Sequence, residues 1–249
     1  MIEDATLERL RIVGLARAAR NGPAHDDGHV RRVAALAERI AMTEGVRVDL
    51  AVAAALLHEL VHVRKDDPEH ARAGRLAAAA AENLLLQHRV PRDDVGTIVD
   101  AIRDHSFSQG AAPSSRVAAV LQDADRLDAM GAVGIARCFA TTGELGRPLV
   151  HPEDPFCRKR EPDDLRYAVD HFFRKLLRLE SRLHTATARR LARPRVAAMR
   201  AFLEALAAEL PFGDRTFGVA PPEAPRTGGA RTAVSKRPSK AAARRTRSR

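Results

Sequence analysis

The chain has 249 residues, 45% hydrophobic and 30% charged, enough for one large domain or two small ones with a proper core. Only two cysteines occur, Cys138 and Cys157, far apart, which excludes a disulfide framework and predicts a reduced, cytoplasmic protein. No run approaches ~18 apolar residues, so a membrane span is not expected. The net charge of +10 is concentrated at one end: residues 214–249 hold ten Lys and Arg against Asp214 and Glu223, which supplies +8 of it.

Helix signals recur along the chain. Asp4 is placed to cap a first helix running to about Arg20, which Asn21-Gly22-Pro23 stops. Asp26 or Asp27 caps a second, with Val30, Val33, Leu36, Ala37 and Ile40 at helical spacing and Gly45 at its end. His29 falls in its first turn. From a capping Asp49, Leu50 to Leu57 contains only Ala, Val and Leu, and a helix apolar on every face is a buried helix. It delivers His58 and Glu59 to the edge of the core, where polar groups need partners.

A polar connection through Lys65 and Pro68 leads to a long Ala-rich helix ending near Gln87 or Arg89. Another opens at Pro91-Arg92-Asp93-Asp94 and ends at Asp104-His105-Ser106. The next begins at Ala112-Pro113-Ser114, enters Gln122-Asp123-Ala124-Asp125-Arg126-Leu127-Asp128 and continues helically to Phe139. Six glycines and prolines between Thr141 and Pro162 predict a long loop, of the kind that is functional or mobile. Two further helices are predicted over about 163–179 and 184–210, the second interrupted by Pro194. No alternating strand pattern or glycine-rich phosphate loop is visible. The expected architecture is all-α, with a domain over 1–212 and a disordered basic tail over 213–249. The tail's charge suits weak, salt-sensitive nucleic-acid contact.

The partners available to His58 and Glu59 are His29, Asp123, Asp125 and Asp128. Imidazole and carboxylate together suit Mn, Fe, Co, Ni or Zn, and more weakly Mg. An ion of this kind neutralises phosphate and acidifies water, so phosphoester hydrolysis is the natural chemistry. Arg31 and Arg32 follow His29, Lys65 lies about two helical turns beyond His58, His105 ends a helix and Arg126 adjoins Asp125, and an anionic substrate requires several such groups.

The ordered motifs carry a resemblance. His25-Asp26-x-x-His29-x-x-Arg32-Val33, His58-Glu59, His105-Ser106-Phe107-Ser108, Gln122-Asp123-Ala124-Asp125-Arg126-Leu127-Asp128-Ala129, Asp154-Pro155-Phe156 and Tyr167-Ala168-x-Asp170-His171-Phe172-x-x-Lys175 fit a small bacterial branch of one superfamily. Over roughly residues 5–210 the chain resembles the HD-domain metal-dependent phosphohydrolases, named for adjacent His and Asp ligands. The resemblance implies a helical bundle that hydrolyses phosphate or pyrophosphate from nucleotides. It implies metal ligands His29, His58, Glu59 and Asp125, with a divalent Mn, Mg, Fe, Co or Ni ion. Asp123 would then orient a ligand, and Glu59 or Asp128 would handle the proton. Glu59 departs from the expected Asp. One added carbon–carbon bond moves the carboxylate by ~1.5 Å, which keeps metal binding and leaves a second reading open, a metal- or nucleotide-binding module with weak or no turnover.

Overall fold

A computed structural model describes residues 1–22, 25–63, 67, 69, 72–105 and 110–211. All regular elements among them are helical: α1 (Asp4–Ala18), α2 (Asp27–Glu44), α3 (Val48–Leu57), α4 (Ala73–Gln87), α5 (Arg92–Arg103), α6 (Arg116–Asp128), α7 (Gly131–Glu144), α8 (Asp170–Arg174) and α9 (Ala186–Glu209). Short 3-10 turns at Leu176–Arg178 and Glu180–Arg182 join the last two. None is long and apolar enough to cross a membrane. Lys65, Pro23, Pro68, Ser106 to Ser108 and the basic tail lie outside the described residues.

Helix α3 is the hub. Every residue from Leu50 to Leu57 is buried, and the helix packs against α1, α2, α5 and α6. Helix α1 can approach it because residue 14 is glycine: a Cβ there would lie 2.2 Å from the Leu56 carbonyl oxygen. Around this centre α2 packs on α6, α4 on α5, and α7 on α9.

The capping chemistry follows the sequence in part. The Asp26 carboxylate accepts the His29 backbone N–H at 2.8 Å, and Gly45 closes α2 with φ +63°. Ser115 rather than Ser114 caps α6, accepting from the Ala118 N–H. Asp4 and Asp49 are not caps, however; each sits in the first turn of its helix, behind Glu3 and Arg47. The Asp49 carboxylate instead accepts the Ile2 N–H at 2.8 Å and pairs with Arg47, tying the N-terminus to α3.

Two expected helices are broken. Helix α6 ends at Asp128, since Met130 is extended and Gly131 takes φ +72°, a left-handed conformation that favours glycine; α7 then starts in a new direction. The helix expected over 163–179 shrinks to α8. The buried Asp170 carboxylate accepts two Arg160 N–H bonds at 2.5 and 2.7 Å and the Asp163 N–H at 2.6 Å, which holds the preceding segment as a loop. That loop is closed further back, where Ala168 and Val169 donate to the carbonyls of Pro148 and Leu149.

Candidate metal centre and cleft

The ends of α2, α3 and α6 meet at one place. His29 comes from the first turn of α2, His58 and Glu59 follow the last turn of α3, and Asp125 and Asp128 come from the last turn of α6. His29 and His58 are buried.

Hydrogen bonds fix both rings. The Asp128 carboxylate can only accept, so His29 Nδ1, 2.8 Å away, carries the hydrogen. His58 Nδ1 donates to the Ala55 carbonyl at 2.7 Å in the same way. With the hydrogen on Nδ1, each ring turns its Nε2 towards the other, and these two atoms are 3.2 Å apart. Two lone pairs at that distance repel unless a proton or a cation lies between them. Asp125 Oδ1 is 3.6 Å from His29 Nε2, and Glu59 Oε1 is 3.8 and 3.9 Å from His29 and His58 Nε2. Ligands ~2.1 Å from one ion are separated by roughly 3.0–3.4 Å in octahedral or tetrahedral arrangement, so this donor set fits a divalent ion after small shifts.

The electrostatics agree with that reading. Burial pushes His58 down to about 4, reinforced by His29 and His105 and opposed by the carboxylates of Glu59 and Asp125. Burial acts to raise Asp125, but His29, His58, His105 and Arg137 outweigh it and hold it ionised. These are the protonation states that a metal requires of its ligands.

Glu59 faces two ways. Its Oε1 accepts from His25 Nδ1 at 2.8 Å and its Oε2 lies 3.5 Å from His62 Nδ1. These histidines overcome the cost of burial and hold Glu59 well below the usual carboxylate range. Burial lowers His25.

Asp128 is fully engaged. Besides His29 it accepts from Arg32 Nε at 2.7 Å, Arg32 NH2 at 3.1 Å and Arg137 NH1 at 2.8 Å, which keeps it far below the usual range despite burial. It thus orients His29, and its lone pairs face that ring and two guanidinium groups instead of a proton-transfer partner. The Arg32 guanidinium is turned to Asp128. His105 stands beside His58, ring centroids 5.2 Å apart, its Nδ1 bound to the Ile102 carbonyl.

Arg126 departs from the expected substrate role. Its guanidinium binds the Arg182 carbonyl, His184 and Gln122 at 2.6–2.7 Å, because it lies on the face of α6 turned to the 182–185 segment. Asp123 does not orient a metal ligand either; it accepts the N–H groups of His184 and Thr185 and the Thr185 hydroxyl, each at 2.8 Å.

A cleft opens beside the cluster, with His25 and Asp125 in its wall. Its other lining groups include Arg137, Arg147, Asp164, Tyr167, His171 and Lys175. Sequence reasoning assigned none of these a role. Arg137, Arg147 and Asp164 carry no spacing signal, and Tyr167, His171 and Lys175 stand in a motif of the resemblance that assigned them no task.

The HD domain family matches residues 27–130, which span the whole donor set. YpgQ of Bacillus subtilis is 35% identical over 191 residues, covering 75% of this chain and 85% of that protein. The structure of YpgQ in complex with ADP superposes with a TM-score of 0.67 at 32% identity, covering 84% of this chain and 97% of that one. A Lactobacillus plantarum structure gives 0.69 at 31% identity, covering 84% and 98%. An HD-superfamily hydrolase from Bacillus thuringiensis gives 0.63 at 27% identity, covering 82% and 96%.

Proposed function

This chain belongs to the HD superfamily, and on that premise we propose that it is a metal-dependent phosphohydrolase acting on a nucleotide-like phosphate compound. The observation that carries the reading is the facing pair of Nε2 atoms on His29 and His58, 3.2 Å apart with the Asp125 carboxylate alongside. His29, His58 and Asp125 would hold the ion, with Glu59 as the fourth ligand. A divalent ion there supplies charge neutralisation at phosphate and acidification of water. Mn, Mg, Fe, Co and Ni all suit the nitrogen and oxygen donors.

The chain's own residues do the remainder. Asp128 holds His29 in the tautomer that leaves Nε2 available, as hydrogen-bonded carboxylates do behind metal-binding histidines. Arg137, Arg147 and Lys175 give the cleft the cations that an anionic substrate needs, and Tyr167 gives it an aromatic wall. The ADP bound by the Bacillus subtilis relative supports a nucleotide as the occupant. The basic tail adds weak nucleic-acid contact that fades as salt rises.

Release of phosphate or pyrophosphate from a nucleotide panel, with Mn and with a chelated control, tests the reading. Chelator-sensitive release is expected. A second reading, a nucleotide- or metal-binding module without turnover, is favoured by the Glu59 Oε1 that lies closer to His25 than to His29 or His58. No release from any nucleotide, followed by a large gain in Glu59→Asp, would establish that module reading.

A further inference from the structure

Hydrolysis at this site requires a group that can give a proton to the leaving oxygen. Of the two side chains expected to move protons, Asp128 is saturated by His29, Arg32 and Arg137, and the Glu59 carboxylate is turned to His25 at 2.8 Å and His62 at 3.5 Å. The cleft wall contains another group with the right chemistry. His171 Nδ1 lies 2.8 Å from Asp164 Oδ2, both residues line the cleft with Asp125, and both side chains retain partial exposure. We propose that His171 and Asp164 form a catalytic dyad, with His171 as the general acid that protonates the leaving-group oxygen. The proposal rests on the hydrolase reading above.

The arrangement follows the logic of an imidazole oriented by a carboxylate: Nδ1–H donates to Asp164, and Nε2 carries the proton. The two halves are pinned by their sequence neighbours. Asp163 donates its N–H to the Asp170 carboxylate at 2.6 Å, so the residues preceding Asp164 and His171 are joined directly. Asp170 is itself locked by Arg160 and buried, as is Phe172 on the other side of His171. Arg147 NH1 donates to the Asp164 carbonyl at 2.8 Å and fixes the loop from a third direction. Such support is what a preorganised proton donor needs, and it distinguishes this pair from an ion pair between mobile surface side chains.

In the step, the water oxygen forms the new bond to phosphorus while the bond from phosphorus to the leaving oxygen breaks, its electron pair staying on that oxygen. His171 Nε2–H supplies the proton to it. The proton lost by the attacking water passes to solvent, and His171 is reprotonated from solvent, so the sum is substrate plus water giving two products. The charged and titratable groups that line the cleft with His171 are Asp164, Arg137, Arg147, Lys175, His25, Asp125, Cys138 and Tyr167.

The test compares full-length wild type, His171→Gln and Asp164→Asn, each loaded with Mn. Substrates are a nucleotide panel and two aryl phosphates, phenyl phosphate and p-nitrophenyl phosphate, whose leaving groups differ in their need for a proton. Mn affinity is measured on the same samples. His171→Gln should slow the poor leaving group about 10²-fold or more, the range of general acid catalysis, and slow p-nitrophenyl phosphate far less. The fall in wild-type activity at high pH should disappear in this variant, Asp164→Asn should show a smaller loss, and Mn affinity should stay within twofold. Equal losses on both aryl phosphates, or an unchanged pH profile, would overturn the dyad while leaving the hydrolase intact. Wild-type protein with no chelator-sensitive release from any of these compounds would overturn the hydrolase reading and the dyad with it.

Discussion

Replacing Asp128 by Asn keeps the shape of the side chain and removes the charge shared by His29, Arg32 and Arg137. The half-exposed Arg32 and the more enclosed Arg137 then face a neutral amide, and since solvent screens Arg32 the cost is about 1–3 kcal/mol, below that of breaking a fully buried pair. His29 also loses the acceptor that fixes its tautomer, so Mn affinity should fall roughly 10–100-fold. Chemical denaturation and a metal titration of Asp128→Asn check the two effects separately. Cys157 makes a second residue-scale case. Burial, with the Asp170 carboxylate nearby, pushes its thiol up to about 12. The nucleophile is the thiolate, which forms as pH rises, so at pH 8 it is scarce in the folded protein. Iodoacetamide should label Cys157 slowly in native protein and quickly after unfolding; equal rates would contradict this placement.

At the scale of elements, Gly14 sets how closely α1 lies on α3. In Gly14→Ala the new Cβ meets the Leu56 carbonyl at 2.2 Å, a backbone atom that cannot swing aside. Either helix must move, at a cost of about 1–3 kcal/mol, and His58 follows the last turn of the one that carries Leu56. Thermal unfolding should show a lower midpoint, with Mn affinity reduced in the same variant. This hub was legible in the sequence because eight consecutive small or branched apolar residues leave no polar face. The position of α2 was legible from apolar periodicity and from Asp26 and Gly45 at its ends, and the start of α6 from apolar periodicity. The short α8 was not: its boundaries depend on Asp170 choosing Arg160 and the Asp163 N–H, a set of partners that helical spacing does not encode. The same holds for the site. His29, His58, Glu59 and Asp125 stand in ordered motifs, whereas the cleft draws Arg137 from α7 and Arg147 and Asp164 from the long loop, which only tertiary packing brings together. Arg126 misled because sequence adjacency to Asp125 says nothing about direction; neighbours on a helix point roughly 100° apart.

For the whole molecule, an ion held by residues from α2, α3 and α6 binds the folded chain and not the unfolded one. Mn at 100 times its dissociation constant should stabilise the fold by ~2.7 kcal/mol. Unfolding midpoints measured with Mn and with chelator should differ accordingly, and His58→Gln should lose the difference. Two of the three helices, α2 and α6, are also held from outside the site. Glu44, at the end of α2, accepts the Thr187 N–H at 2.8 Å, and Asp123 of α6 accepts from His184 and Thr185. The start of α9 thus fastens together the helix bearing His29 and the helix bearing Asp125. This gives protein synthesis a fixed order of events. A chain emerging from the ribosome has all four prospective ligands once residue 125 is out, yet lacks the clasp until about sixty further residues have followed. On the metal-site reading, a nascent chain halted before Thr185 would carry the ligands without the frame that aligns them.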